Sequence, residues 1–216
     1  MLRMLLVASL LLVEVLLGRH ALAATYTNAP ADNSIFSFGA PDTTSYGQVF
    51  LAPGDGDLNS WTFTLRAADA GAFALVVAAW NGSYAVGPAL YASAPVAGLP
   101  GSLHDYTFGS IGLPLSTGSA YIAYLTVAGV ASPLAGSRVA TSSTDGGLGG
   151  RFYFLNSNGA DPLGLITPWS DWPIPDLTFT AVFGAATGPL PVPEPISLAL
   201  IGAGLLGLGL VRRRLL

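Results

Sequence analysis

The sequence predicts an all-β fold, a jelly-roll-like antiparallel β-sandwich flanked by an N-terminal signal helix and a C-terminal transmembrane helix. Three observations carry that prediction. Between the ends, apolar residues recur with period two rather than 3.6. Gly, Pro, Asn and Asp interrupt the alternation at short intervals. Only the two termini hold a helical apolar stripe for three turns.

Residues 1–23 read as a secretory signal peptide. Arg3 supplies the positive n-region, residues 4–17 the apolar core, and Ala21-Leu22-Ala23 the small-x-small cleavage site. Cleavage after Ala23 or Ala24 is the simplest expectation. The alternative is a retained anchor. Glu14 leaves only residues 4–13 uninterrupted, which is too short to span a bilayer.

Residues 24–184 form the sandwich. Trp61, Phe63 and Leu65 alternate with Thr62 and Thr64, so one face is apolar and the other carries hydroxyls. Phe152 and Phe154 alternate about Tyr153. Leu177, Phe179, Ala181 and Phe183 alternate with Thr178, Thr180 and Val182. Further strands are expected at 46–51, 72–80, 88–92, 106–108, 120–127 and 137–142. Breaks fall at Pro53-Gly54-Asp55-Gly56, Asn81-Gly82, 98–101, 146–150 and Asn158-Gly159. About nine short strands with such turns suit a sandwich or jelly roll. The continuous apolar run 76–79 marks a central strand covered on both faces. Asn81-Gly82, able to take positive φ at both positions, favours a tight hairpin.

Composition narrows the function classes. The 216-residue chain contains no cysteine, so disulfides and thiolate chemistry are absent. Residues 24–190 hold three arginines and ten aspartates, with no lysine or glutamate, for a formal charge of −7. So few cations cannot neutralise many phosphates, which excludes nucleic acid as a partner.

The domain offers little for catalysis, and it is read as non-enzymatic with no cofactor. His104 and Asp105 are adjacent, so in a strand they point to opposite faces and make a poor dyad. No serine has Gly-x-Ser-x-Gly spacing. Asp42, Asp55, Asp57, Asp145 and Asp161 adjoin Gly or Pro, where aspartate usually closes a turn. Asp55, Asp57 and Asn59 have the spacing of half a calcium loop, but Ser60 and Arg66 replace the required glycine and glutamate. They are a weak metal candidate. Trp169, Asp171 and Trp172 are the candidate glycan contacts: aromatic rings on a loop can stack on sugars while Asp171 accepts hydroxyl protons. The competing expectation is that both rings cap the core.

Residues 185–191 form a Pro/Gly linker, and 192–216 a tail. Val192-Pro193-Glu194-Pro195 precedes an apolar run at 196–211 broken only by Ser197, and Arg212-Arg213-Arg214 follow. As a helix the run is about 24 Å long, slightly short for a ~30 Å hydrocarbon core. Snorkelling arginines and local thinning make up the difference. The arginines stop transfer and keep that end in the cytoplasm, so the domain lies outside. A plain C-terminal anchor is the alternative reading.

In order and position these three parts resemble the PEP-CTERM sorting signal. That resemblance implies recognition and processing by an integral-membrane exosortase in bacteria that make exopolysaccharide. Residues 46–50 with Pro53-Gly54-Asp55, residues 79–82 with 87–91, and residues 176–183 also resemble an ectodomain of other PEP-CTERM proteins. That likeness implies a jelly-roll-like sandwich similar to carbohydrate-binding modules. The expected protein is exported through the inner membrane, held by its tail helix until processing, and then found at the cell surface or outside. Its expected role is structural or adhesive within the extracellular matrix. The first alternative is a carbohydrate-binding module for exopolysaccharide, and the second a hydrolase.

Overall fold

Successive strand residues point to opposite faces, and this alternation divides the chain between two antiparallel sheets that share one core. A computed structural model describes residues 23–173 and 176–184. The signal helix, linker, sorting motif and tail helix lie outside the described residues. Among the described residues, no helix is long and apolar enough to cross a membrane.

The strands are β1 (Ala24–Thr27), β2 (Asn33–Phe38), β3 (Ser45–Leu51), β4 (Asp57–Arg66), β5 (Ala72–Trp80), β6 (Ala85–Ala92) and β7 (Val96–Ala97). They continue with β8 (His104–Phe108), β9 (Ala120–Thr126), β10 (Ser137–Ser142), β11 (Phe152–Leu155), β12 (Ser170–Asp171), β13 (Asp176–Leu177) and β14 (Phe179–Gly184). The first sheet runs β1-β14-β4-β10-β13, with β2 on β10 and β8 on β4. The second runs β12-β11-β3-β9-β5-β6, with β7 on β5. The alternating stretches of the sequence are the long strands of these sheets. The two-residue strands β7 and β12 are too short to show a period, and β1 has Tyr26 as its only large apolar residue. In β2 the apolar pair Ile35-Phe36 hides the alternation, and Ser37 has a positive φ of 77° at a bulge.

The expected hairpin at Asn81-Gly82 is present with a wider loop. Trp80 pairs with Ala85, so four residues intervene. Gly82 alone takes positive φ (97°). The Asn81 side chain accepts from the Ser83 and Tyr84 amides, both at 2.9 Å. An Asx turn therefore replaces the second positive-φ residue.

Between the sheets, Phe50, Trp61, Phe63, Phe73, Phe152 and Phe183 are fully buried. Trp61 stacks on Phe179 with centroids 5.1 Å apart. A second, smaller cluster covers the opposite face of the second sheet. There Val76, Ala78, Trp80, Ile122 and Tyr124 lie under Trp169, with Leu163 and Leu165 packed against them. This cover is why β5 is apolar on both faces.

The last strand changes partner at Thr178, whose amide donates to the Ala140 carbonyl at 2.9 Å. Before it, Leu177 pairs with β10; after it, Phe179 pairs with β4. Buried side chains satisfy the flanking backbone groups. Gln48 Oε1 accepts from the Leu177 amide at 2.9 Å. Asn28 donates to the Leu177 carbonyl at 2.9 Å and accepts from the Phe179 amide at 2.7 Å. Buried backbone groups rarely go unpaired, and here two amides replace the missing strand.

Gly150 has φ +85°, and a Cβ there would lie 2.0 Å from the Val49 carbonyl oxygen. Gly150→Ala is expected to cost about 2–4 kcal/mol through combined strain and clash. At Gly82, also at positive φ but with nothing within 4 Å, alanine should cost about 1 kcal/mol. Urea unfolding of the two variants checks the difference; equal losses would mean that φ alone matters.

Candidate functional site

The segment around Trp169 is set by the pairing of β12 with β11, Phe154 opposite Ser170 and Tyr153 opposite Asp171. Alternation then sends Trp169 and Asp171 to one face and Ser170 and Trp172 to the other. Trp169 is 5% exposed and edge-on to Trp80 (6.1 Å) and Tyr124 (5.3 Å), as a lid on the second cluster. Asp171 forms an ion pair with Arg151 at 3.2 Å. Trp172 is 47% exposed. The expected three-residue glycan platform is therefore not assembled. Trp169 belongs to the core, and only Trp172 presents its ring.

Trp172 instead forms one wall of a cleft of about 310 Å³ between the β2 edge of the first sheet and the β11–β12 edge of the second. Ile35, Phe36, Thr43, Tyr46 and Phe154 complete it. Trp172 meets Phe154 edge-on with centroids 6.2 Å apart. Tyr46 donates to the Phe36 carbonyl at 2.6 Å, and burial pushes its phenol up to about 12, so it stays neutral. Phe36 is 52% exposed, with the Arg138 guanidinium 5.2 Å from its ring centroid. Two exposed rings, a buried ring beneath and a nearby cation can hold a flat, partly apolar ligand. Sequence reasoning missed Phe36 and Phe154 as site residues. Their only signal was aromatic character, which core residues share.

The remaining chemistry is dispersed. Asp105 accepts from the Thr64 hydroxyl at 2.5 Å, and His104 Nε2 lies 3.4 Å from the Ser102 hydroxyl. Asp32 accepts from the Ser143 hydroxyl (2.5 Å) and amide (2.8 Å), and these bonds hold its carboxyl below the ordinary range. Asp69, Asp145 and Asp161 each accept the amide two residues on, at 2.9, 2.9 and 3.0 Å. Asp176 is buried, accepts from Gln48 Nε2 at 2.5 Å, and is pushed up to about 6 by burial.

The candidate calcium residues do not converge. Asp55 accepts from the Tyr26 hydroxyl, and Asp57 pairs with Gly184 in the sheet. Asn59 is the extra residue of a bulge, because Leu58 opposes Phe183 while Ser60 opposes Val182. Pairing of β4 thus draws Asp57 and Asn59 into a ladder where the sequence suggested a loop. Among the described residues, no group of three or more His, Asp or Glu side chains could hold a metal ion.

Comparison with known proteins gives a match for the tail and a distant structural similarity. Residues 191–214 match the PEP-CTERM protein-sorting motif. No curated protein matches the sequence. Among solved structures, the chain is similar to the cysteine protease and lectin-like domains of Cwp84, a surface layer associated protein of Clostridium difficile, at a TM-score of 0.48 and 13% identity. That similarity covers 76% of this chain and 36% of the other.

Proposed function

We propose that this chain, an exosortase substrate by its PEP-CTERM tail, delivers a non-catalytic, jelly-roll-like β-sandwich with a structural or adhesive role at the cell surface. The tail is the premise: a chain bearing this signal is sorted by exosortase and becomes extracellular. The observation that carries the rest is the occupation of the acids. Asp32, Asp55, Asp69, Asp105, Asp145, Asp161 and Asp171 each hold a turn, a hydroxyl or an arginine. Catalysis by paired carboxyls needs two of them facing one cleft with contrasting pKa values. The test is to replace residues 24–184 by an inert passenger while keeping both ends. Cells exporting the passenger should lose surface cohesion that the natural chain confers, and unchanged cohesion would sink the structural role.

A second reading, glycan binding, is favoured by the cleft of Trp172, Phe36 and Phe154. Once the 24–190 fragment is shown to melt cooperatively, a glycan array probes it directly. Trp172→Ala should weaken any sugar binding roughly two- to tenfold, in line with the ~0.5–1.5 kcal/mol of an aromatic stacking contact, while Asp171→Asn should change it little. The reverse ranking would return the site to the opposite face of β12.

A further inference from the structure

We propose that Phe36, Arg138 and Arg66 form a subsite for the carboxylate of an acidic polysaccharide. The inference rests on the glycan-binding reading and adds to it the charge of the ligand.

The three residues stand side by side across neighbouring strands of the first sheet. Arg138 of β10 is directly opposite Arg66 of β4. Phe36 of β2 flanks Arg138 on its other side, with the guanidinium 5.2 Å from the ring centroid. The next pair in register, Val139 and Leu65, is fully buried in the core. Alternation therefore sends both arginines to the outer face.

Like charges directly opposed across a sheet are destabilising, and among the described residues no acid offsets this pair. Among the described residues, the only salt bridge is that of Arg151 with Asp171, and neither the Arg66 nor the Arg138 guanidinium donates a hydrogen bond. Asp105 of β8, opposite Thr64 two positions along β4 from Arg66, is engaged by the Thr64 hydroxyl. A stretch with a formal charge of −7 thus sets two of its three arginines together and leaves both unpaired.

A carboxylate between the two guanidiniums would relieve their repulsion and accept charge-assisted hydrogen bonds from both. Phe36 offers an apolar face for the sugar ring that carries it. Phe36 also lines the Trp172 cleft, so a polymer seated there continues onto the arginines. The surrounding aspartates repel a polyanion elsewhere, but that field is screened beyond ~8 Å at physiological salt.

The probes are trigalacturonate and its methyl ester, which keeps the ring shape and loses the charge. The full chain, purified in a neutral, sugar-free detergent, is titrated with each at physiological salt. The natural chain should bind the acid at least tenfold more tightly than the ester. Arg66→Gln/Arg138→Gln should erase that preference while retaining ester binding. Because the substitutions remove a repulsion, the double variant should melt at the same or a higher temperature, which rules out misfolding as the cause. Equal binding of acid and ester by the natural chain, or an undiminished preference in the double variant, would overturn the carboxylate subsite and leave glycan binding standing. Failure to bind either probe, together with a blank glycan array, would overturn both.

Discussion

Glu194→Ala is expected to leave an unprocessed species of full tail length in the inner membrane. Residues 191–214 match the sorting motif, and Glu194 is the only charge in that segment before Arg212. The prolines flanking it in sequence lack amide donors, and the carboxylate is the group expected to be read by the processing enzyme. Insertion should survive the substitution, because it depends on apolarity and flanking charge. Removing Arg212, Arg213 and Arg214 should do the opposite: the stop-transfer signal weakens, and so short an apolar run should slip through. One variant accumulates in the membrane and the other escapes it. Intact mass and membrane fractionation read both. A Glu194→Ala chain with the natural mass and distribution would reduce the tail to a plain anchor.

Gln48→Leu is expected to cost about 3–5 kcal/mol at pH 7. The side chain is fully buried in β3, donates to Asp176 and accepts from the Leu177 amide. Leucine strands a buried carboxylate and a buried amide together. The loss should shrink at pH 5, where Asp176 is mostly protonated. Urea unfolding at the two pH values checks this, and equal losses would show that the carboxylate is not the expensive group.

The natural chain should carry the same signature. Asp176 is raised from 3.8 to about 6 in the folded state by burial, so between these values the folded protein binds the extra proton. Its contribution is fully present below about 3.8 and is lost as pH rises through 6. Lowering pH from 7.5 to 4.5 should therefore add about 2 kcal/mol, or roughly 4–8 °C in melting temperature. Asp32 works in the opposite sense, its stabilising effect being lost only as pH falls below 3.8. Asp176→Asn should flatten the rise.

Much of this architecture was legible along the chain. Residues 72–80 and 137–142 were bounded correctly because Gly71 and Gly136 precede them and the breaks at Asn81-Gly82 and Asp145-Gly146 come soon after. The sorting tail was legible for a different reason. A processing enzyme and the bilayer read it as a linear segment, so proline, charge and apolar length carry its meaning without a fold. The sequence also determined what the domain lacks, since an absent cysteine or lysine is absent in any conformation.

Only the tertiary structure decided the site. Trp169 and Trp172 are three residues apart and chemically identical, yet one packs edge-on to Trp80 and Tyr124 and the other faces solvent. The difference is the register of β12 on β11, where a slip of one residue would exchange them. Phe36, Arg138 and Arg66 come from strands far apart in sequence, and no spacing rule connects them. Asp176 resembles the turn-closing aspartates until Gln48 of the opposite sheet is seen to hold it. Local pattern determines which residues face a core; the pairing of distant strands determines which of the others meet.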